Sequence, residues 1–150
     1  MEYSIGQVGR VVAARFHDGE DVYAGIEALA AKEGLSSAVV YLLGGAKCAK
    51  VVVGPRDLQG PLVPLTREFD DARDIVGLGT LHMAEGKPAL HLHGAIGRGE
   101  ETIVGCPRLG LEAYLVLEVI IFELLGLDAL RQLDPTTGLH LLAFAKPKRL

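Results

Sequence analysis

Two histidines and a cysteine in the middle of the chain are the residues whose types and spacing could bind a metal. His91 and His93 are separated by one residue in PALHLHGAIGRGEETIVGC, residues 88–106. In a β-strand, residues two apart project from the same face, so a strand here would place two imidazoles side by side. The Gly-rich, charged run GRGEET is typical of a hairpin loop. A second strand from Thr102 to Cys106 would then return the Cys106 thiol towards the histidine pair.

The His-x-His spacing has a second interpretation, in which the two histidines are polar residues on a solvated strand face or in a subunit interface. Zinc signatures of high specificity usually carry four ligands or a second paired motif. His82, in the neighbouring strand of the predicted hairpin, is a further candidate ligand. A single histidine in that position is more often a pairing or core residue, so the spacing alone leaves both interpretations open.

Composition limits the classes of protein that the chain can represent. With 150 residues, 49% of them hydrophobic and 23% charged, it is predicted to form a single compact domain over residues 1–150. The formal net charge of −4 excludes a global basic field for nucleic acid, so any contact with DNA must be local. The local basic residues are Lys47 and Lys50, and a tail cluster of Lys146, Lys148 and Arg149.

Cysteine usage and the apolar segments predict a cytoplasmic protein that is not inserted in a membrane. Cys48 and Cys106 do not resemble a disulfide framework, and the first residues, MEYSIGQVGR, lack the apolar core of a signal peptide. The longest apolar run, Tyr114–Leu125, is interrupted by Glu118 and Glu123 and is too short to cross a bilayer.

Periodicity predicts one major helix and seven or eight strands. The helix spans residues 20–33, with an apolar stripe and Gly34 as its C-cap. The chain between residues 56 and 66 is predicted to be a surface excursion or an irregular edge strand, residues 127–133 a short helical turn, and the tail KPKRL frayed. The predicted strands are Gly9–Phe16, Ser37–Leu43, Cys48–Val53 after a bend at Gly44-Gly45, Ile75–Met83, His91–Ile96, Thr102–Cys106, Glu112–Leu125 and Leu139–Phe144. Short connections between strands predict an α+β domain with a mainly antiparallel, strongly curved sheet.

The order of these features resembles the plants-and-prokaryotes-conserved (PPC) domain family over residues 9–145. The matching pieces are ARFHDGEDVYAGIEALAAKEGLSSAVVYLLGGAKCAKV, RDIVGLGTLHMAEGKPALHLHGAIG and TIVGCPRLGLEAYLVLEVIIFEL. The resemblance implies an α+β fold, a homotrimer, a DNA-binding or regulatory role, and a metal site on the His-x-His strand with a later histidine in a Gly-His step. Here that step is Gly105-Cys106. Because a thiolate also binds zinc well, we expect zinc at His91, His93 and Cys106.

Three functions are compatible with this sequence. The first is a trimeric DNA-associated or regulatory protein, although the chain lacks the Arg-Gly-Arg-Pro core of an AT-hook. The second is a metal-dependent hydrolase or lyase acting on a small molecule, with Glu100, Glu101 and Glu118 as the candidate general bases. The third is a ligand-binding or scaffolding trimer whose metal is structural. No P-loop, nucleophile elbow or dinucleotide motif is present, so the sequence favours a protein that is not an enzyme.

Overall fold

The structure is a computed structural model that describes residues 1–59 and 62–149. Over these residues the chain forms one α-helix and ten β-strands. In chain order they are β1 (Glu2–Tyr3), β2 (Gln7–His17), α1 (Val22–Glu33), β3 (Ser37–Pro55), β4 (Pro64–Phe69), β5 (Arg73–Ala84), β6 (Lys87–Arg98), β7 (Glu101–Leu125), β8 (Ala129–Leu133), β9 (His140–Phe144) and β10 (Lys148–Arg149).

The centre of the fold is a closed circuit of four antiparallel strands. β3 pairs along one edge with β5 and along the other with β7, and β6 pairs with both β5 and β7. Outside the circuit, β2 pairs with β7, β4 pairs with β3, and the β8–β9 hairpin joins β5 through one parallel pair. The predicted α+β fold, with its mainly antiparallel and strongly curved sheet of eight strands, is confirmed.

The bend predicted at Gly44-Gly45 lies inside one long strand and does not separate two strands. β3 runs from Ser37 to Pro55, and its register with β7 shifts between the two glycines. A Cβ atom at Gly44 would collide with the carbonyl oxygen of Val116, so the two strands approach more closely here than a side chain permits. The segment predicted as a separate strand continues β3 because β7, itself 25 residues long, pairs with both halves.

Helix α1 begins two residues later than predicted and ends where the sequence indicated. Asp21 is the N-cap, and its Oδ1 accepts a hydrogen bond of 2.9 Å from the backbone N–H of Ala24. Gly34 ends the helix in the left-handed conformation, with φ of 68°. The buried face of the helix consists of Val22, Ile26 and Ala30, and it packs on β6 and β7.

The apolar interior lies inside the strand circuit and under the helix. Alternate residues of the circuit strands point inward, as expected for strands with one buried face. The largest fully buried side chains are Ile26, Leu35, Leu42, Ile75, Leu81, Leu92, Ile96, Leu111, Leu117 and Ile121. Burying each aliphatic side chain of this size contributes about 1.5–3 kcal/mol, so this interior stabilises the strands that carry the histidines.

The C-terminal region differs from the sequence prediction in two places. Ala129–Leu133 is strand β8, not a helical turn, because it pairs with β9 across the predicted loop of residues 134–138. The tail predicted to be frayed forms β10, which pairs with β1, and Arg149 makes an ion pair of 3.0 Å with Glu2. Both differences arise from pairing with a partner strand that local sequence does not identify. Leu150 lies outside the described residues.

The segment predicted as an excursion or edge strand over residues 56–66 ends in β4, which pairs with β3 and forms an edge of the sheet. Residues 60 and 61 lie outside the described residues. In the part of the chain that is described, no helix combines the length and apolar character that a membrane crossing needs.

Candidate metal centre

The two histidines project from the outer face of β6, as their spacing predicted. Burial alternates along this strand, with Leu92 and Ile96 buried and His91 and His93 exposed. The Nε2 atoms of the two imidazoles lie 3.1 Å apart. The rings are oriented edge to face, with their centroids 5.0 Å apart.

Cys106 reaches the histidines because β6 and β7 separate at this point. The two strands pair from Arg98 opposite Glu101 to Gly94 opposite Gly105, and Cys106 is the next residue of β7. Its side chain is 4% exposed. The ligand atoms of His91, His93 and Cys106 all lie within 4.8 Å of one another. The structure therefore brings together the three residues that the sequence proposed.

Beside the histidines, β6 no longer pairs with β7, and helix α1 contacts the free edge of β6 instead. The Oε1 atom of Glu27 accepts a hydrogen bond of 2.9 Å from the backbone N–H of Leu90, and the Tyr23 hydroxyl donates to the carbonyl oxygen of Leu92 at 3.4 Å. The first half of β6 thus keeps its polar backbone atoms satisfied after β7 has turned away. These two contacts fix the strand segment that carries His91 and His93.

Tyr23 also contacts the candidate thiol ligand directly. Its hydroxyl oxygen lies 3.8 Å from the Sγ atom of Cys106. Burial, followed by the neighbouring Cys106, raises the pKa of Tyr23 well above its usual range. The phenol therefore keeps its proton and can donate it to the sulfur when Cys106 is a thiolate.

The surroundings of His91 favour the neutral imidazole that binds metals. Partial burial is the largest cause that lowers the pKa of His91, followed by Arg131, His93 and Arg108. A neutral imidazole offers a lone pair to a metal, whereas an imidazolium does not. Neither Nδ1 atom of the His91–His93 pair has a hydrogen-bond partner among the described residues.

The three donor atoms fit a zinc ion in type, and the two histidine nitrogen atoms also fit its tetrahedral spacing. Zinc–nitrogen bonds of about 2.0–2.1 Å at a tetrahedral angle separate two nitrogen atoms by about 3.3 Å. The observed separation between the two Nε2 atoms is 3.1 Å. Two imidazoles and a thiol are also ligands that zinc commonly takes, and three protein ligands leave a fourth position open.

Two cavities adjoin the three ligand atoms, and His91 and Cys106 border both of them. The larger, of about 670 Å³, also contacts His93, and its walls include Val52, Pro55, Leu62 and Val104. The smaller, of about 520 Å³, extends towards the β8–β9 hairpin and contains Arg131. Arg108 lines both cavities. A molecule in either cavity would lie beside the candidate metal position.

His82 does not join this site. It is buried, and its Nδ1 atom lies 3.0 Å from the Oγ atom of Ser37 on the adjacent strand. Burial, and then Arg131, lowers the pKa of His82. The expectation that a single histidine there is a pairing or core residue is consistent with this environment.

The three glutamates considered as general bases lie elsewhere. Glu100 is in the exposed turn between β6 and β7, and Glu101 forms an ion pair of 3.2 Å with Arg73. Glu118 lies opposite Arg15 of β2. None of the three lines either cavity at the site.

Sequence reasoning missed three residues at the site: Tyr23, Arg108 and Arg131. Tyr23 lies on the helix, and its distance along the chain from Cys106 hides the contact. Arg131 falls in the segment predicted as a helical turn, so its approach to β5 could not be inferred. The Pro-Arg step after Cys106 was the one available signal, because it places Arg108 two residues from a predicted ligand.

A family model described as the Plants and Prokaryotes Conserved (PCC) domain matches residues 3–125 of the chain. This is the family whose motifs the sequence resembles. A search of curated proteins finds no match.

Solved structures reproduce the fold over almost the whole chain. A protein from Archaeoglobus fulgidus described as metal-containing is 24% identical with a TM-score of 0.84, covering 95% of this chain and 99% of its own. A PPC protein from Pyrococcus horikoshii is 22% identical with a TM-score of 0.83, and the match covers 97% of this chain and 99% of that protein. A proposed DNA-binding protein from Ralstonia eutropha JMP134 is 22% identical with a TM-score of 0.74, and the match covers 88% of this chain and 90% of that protein. At these identities the likeness shows the fold alone.

Proposed function

The chain belongs to the Plants and Prokaryotes Conserved (PCC) domain family, and from that premise we propose that it is a homotrimeric zinc protein that binds a small molecule beside the ion. The observation that carries the proposal is the grouping of one ring nitrogen each from His91 and His93 with Cys106 Sγ, all within 4.8 Å of one another at the border of two cavities. Nitrogen and sulfur donors suit zinc, whereas magnesium and calcium prefer oxygen ligands.

The chemistry of the site supports ligand binding more directly than catalysis by a general base. Bound zinc would supply Lewis-acid polarisation of an oxygen atom at its open position. The chain itself orients the histidines through Glu27 and Tyr23 and holds the sulfur beside a protonated phenol. Among the described residues, the acid that lines the smaller cavity is Glu85, whose Oε1 lies 3.6 Å from His140 Nε2. For a metal-dependent hydrolase or lyase, Glu85 and His140 are therefore the candidate general bases at this cavity, because the three predicted glutamates line neither cavity.

The homotrimer is supported by an exposed apolar face on the outside of the strand circuit. The apolar face consists of Tyr41 (46% exposed), Leu43 (51%), Val76 (67%), Leu78 (54%) and Val104 (62%). Tyr41 lies opposite Leu78, and Leu78 lies opposite His93, so the face is continuous with the histidine pair. Contiguous apolar surface of this kind commonly marks a protein interface. We take its occupant to be further copies of this chain, and the number three from the family resemblance.

The proposal places the protein in a reducing cytoplasm. Both cysteines are free, and the proposed role of Cys106 needs its thiolate. An oxidising compartment would place this thiol at risk of oxidation before it could bind an ion.

Elemental analysis tests the zinc site. The protein is purified without chelator or metal-affinity resin, and zinc is measured in the wild type, His91→Ala and Cys106→Ser. Cys48→Ser and His17→Ala serve as matched controls, because these residues lie outside the group of three ligands. Near-stoichiometric zinc that is lost in both site variants and kept in both controls supports the proposal. A wild type that stays metal-free when zinc is supplied would refute it.

DNA binding is the second candidate, because the structural relative from Ralstonia eutropha is described as a proposed DNA-binding protein. The charges of this chain support only a weak interaction. Lys50 pairs with Glu68 at 2.7 Å and Lys47 with Asp18 at 3.5 Å, so the basic cluster near Cys48 is largely compensated. We expect weak, nonspecific binding that falls steeply with salt. Fluorescence anisotropy over a salt series tests this, and a nanomolar, sequence-selective complex at physiological salt would contradict it.

A further inference from the structure

A buried arginine without an acidic partner lies beside the candidate metal centre. Arg131 is 9% exposed, and its Nη2 donates a hydrogen bond of 2.8 Å to the Oγ1 atom of Thr80. Its Nε atom is buried and has no hydrogen-bond partner among the described residues, and no described carboxylate pairs with the guanidinium. An arginine side chain does not lose its proton in proteins. The structure therefore carries a buried positive charge that nothing described compensates.

Leaving a buried charge without a counter-ion is costly, so this arrangement needs an explanation. Breaking a buried ion pair by removing one partner strongly destabilises a protein, because the remaining charge is left buried and uncompensated. Other buried charges of this chain are compensated: Arg73 pairs with Asp71 at 2.6 Å, and Glu123 pairs with Arg10 at 2.7 Å. Arg131 also lines a cavity, but unlike these two residues it has no partner of opposite charge among the described residues. An anion entering that cavity would complete the missing pair.

The cavity connects this charge to the histidines. Thr80, which accepts from Arg131, lies directly opposite His91 in the β5–β6 ladder. Residues opposite each other in a ladder have Cβ atoms about 4.5–5.5 Å apart, so the guanidinium lies close to the first candidate ligand. Arg108 lines the same cavity, is exposed, and makes no side-chain hydrogen bond to the residues that the structure describes.

The remaining walls indicate which kind of anion fits. The cavity measures about 520 Å³, and its sides include Leu90, Leu139 and Leu141. These side chains suit a carbon skeleton, and the polar part of the remaining wall consists of His91, His140 and Glu85. Arginine binds both carboxylate and phosphate groups in bidentate fashion, but Glu85 also lines this cavity, and its negative charge disfavours a phosphate dianion more than a carboxylate monoanion.

We propose that this cavity binds a small organic carboxylate, with its carboxylate group on Arg131 and Arg108 and its apolar body against Leu90, Leu139 and Leu141. The orientation of the other end of the ligand towards the open zinc position rests on the proposed function. The pairing of the carboxylate with Arg131 does not require the metal. This division makes the two proposals separable by experiment.

The test measures binding of butyrate, butyramide and inorganic phosphate by calorimetry and by thermal shift, in zinc-loaded and in chelator-treated protein. Butyrate is expected to bind saturably, butyramide at least tenfold more weakly because it lacks the charge, and phosphate more weakly than butyrate. Arg131→Met should weaken butyrate binding more than tenfold, and Arg108→Gln several-fold. Arg15→Gln, an exposed arginine on β2, is the matched control and should bind butyrate as the wild type does.

The stability of the ligand-free variant separates a binding role from a structural one. Because Arg131→Met removes an uncompensated buried charge, its melting temperature without ligand should equal or exceed that of the wild type. A lower melting temperature, together with unchanged butyrate binding in Arg108→Gln, would show that Arg131 is structural and overturn the proposal.

Four further outcomes are decisive. Equal binding of butyrate and butyramide, or a preference for phosphate, would overturn the carboxylate assignment. If the wild type does not respond to butyrate and Arg131→Met changes the number of subunits, the partner of Arg131 is a group on a neighbouring subunit. That result would also overturn the carboxylate proposal. Arg131-dependent butyrate binding in a protein that takes up no zinc would support the carboxylate site and refute the zinc proposal. Zinc binding without butyrate binding would support the zinc proposal and refute the carboxylate site.

Discussion

The hydroxyl oxygen of Tyr23 on the helix lies 3.8 Å from the Sγ atom of Cys106 on β7, across 83 residues of chain. The same hydroxyl contacts the carbonyl oxygen of Leu92, between the two histidines. One side chain thus touches the proposed thiol ligand and the strand that carries the two imidazoles. A hydroxyl has one proton, so formation of a thiolate would draw that proton from the carbonyl towards the sulfur.

Tyr23→Phe should therefore weaken zinc binding while preserving the fold. Partners in the second layer around a metal typically contribute 10–100-fold in affinity, and we expect a loss of about tenfold. Competition with a chromophoric chelator measures the affinity. Tyr114→Phe, which lies away from the three ligands, is the control and should bind zinc as the wild type does. An unchanged affinity in Tyr23→Phe would show that the contact with sulfur is incidental.

Gly105→Ala should lower stability and disturb the metal centre together. A Cβ atom at Gly105 would collide with the carbonyl oxygen of Val52 on β3, so β7 must shift where it presents Cys106. Overpacking of this kind typically costs about 1–3 kcal/mol. Chemical denaturation and zinc content are the measurements.

Gly97→Ala is the matched control for that variant, because its nearest neighbouring atom, the carbonyl oxygen of Glu101, would be 3.6 Å from the new Cβ. It should change the free energy of unfolding less than Gly105→Ala does. Equal effects of the two substitutions would contradict the close approach of β7 and β3 at Gly105.

The ion pair between Arg10 and Glu123 should make stability depend on acid pH. The Arg10 side chain lowers the pKa of Glu123 from 4.5 to about 2, chiefly by hydrogen bonding. Because the folded pKa is the lower one, this contribution to stability is present above pH 4.5 and is lost as pH falls from 4.5 towards 2. Glu123→Gln should reduce the free energy of unfolding at pH 7 and flatten its fall with acid. Denaturation curves from pH 7 to pH 2.5 measure both effects, and an unchanged slope would contradict the assignment.

The apolar face predicts how the assembly can be disrupted. Leu78→Glu places a charge at the centre of that face, beside Tyr41 and His93, and should convert the trimer to monomers. Light scattering at micromolar concentration measures the mass. Leu58→Glu, at a residue that is 98% exposed and outside the face, should leave the trimer intact. A wild-type protein with the mass of a monomer would remove the homotrimer from the account.

The sequence predicted those parts of the site that depend on local geometry. His91 and His93 share a face because strands alternate, and Cys106 approaches them because a short hairpin returns the chain. Tyr23 and Arg131 could not be predicted, because their positions depend on how a helix covers the gap in a ladder and on a single parallel pair between β8 and β5. Strand β8 itself was predicted as a helical turn, since five residues without their partner strand carry too little periodic signal to decide.

X-ray absorption spectroscopy of the zinc-loaded protein identifies the atoms bound to the ion and so tests the proposed ligands themselves. A zinc ion held by His91, His93 and Cys106 should show one sulfur at about 2.3 Å and nitrogen or oxygen ligands at about 2.0–2.1 Å, including two imidazoles. In Cys106→Ser the sulfur contribution should vanish, and in Cys48→Ser it should remain. A wild-type spectrum without sulfur would contradict the proposed centre. So would a His91→Ala, His93→Ala double variant whose spectrum keeps the histidine contribution.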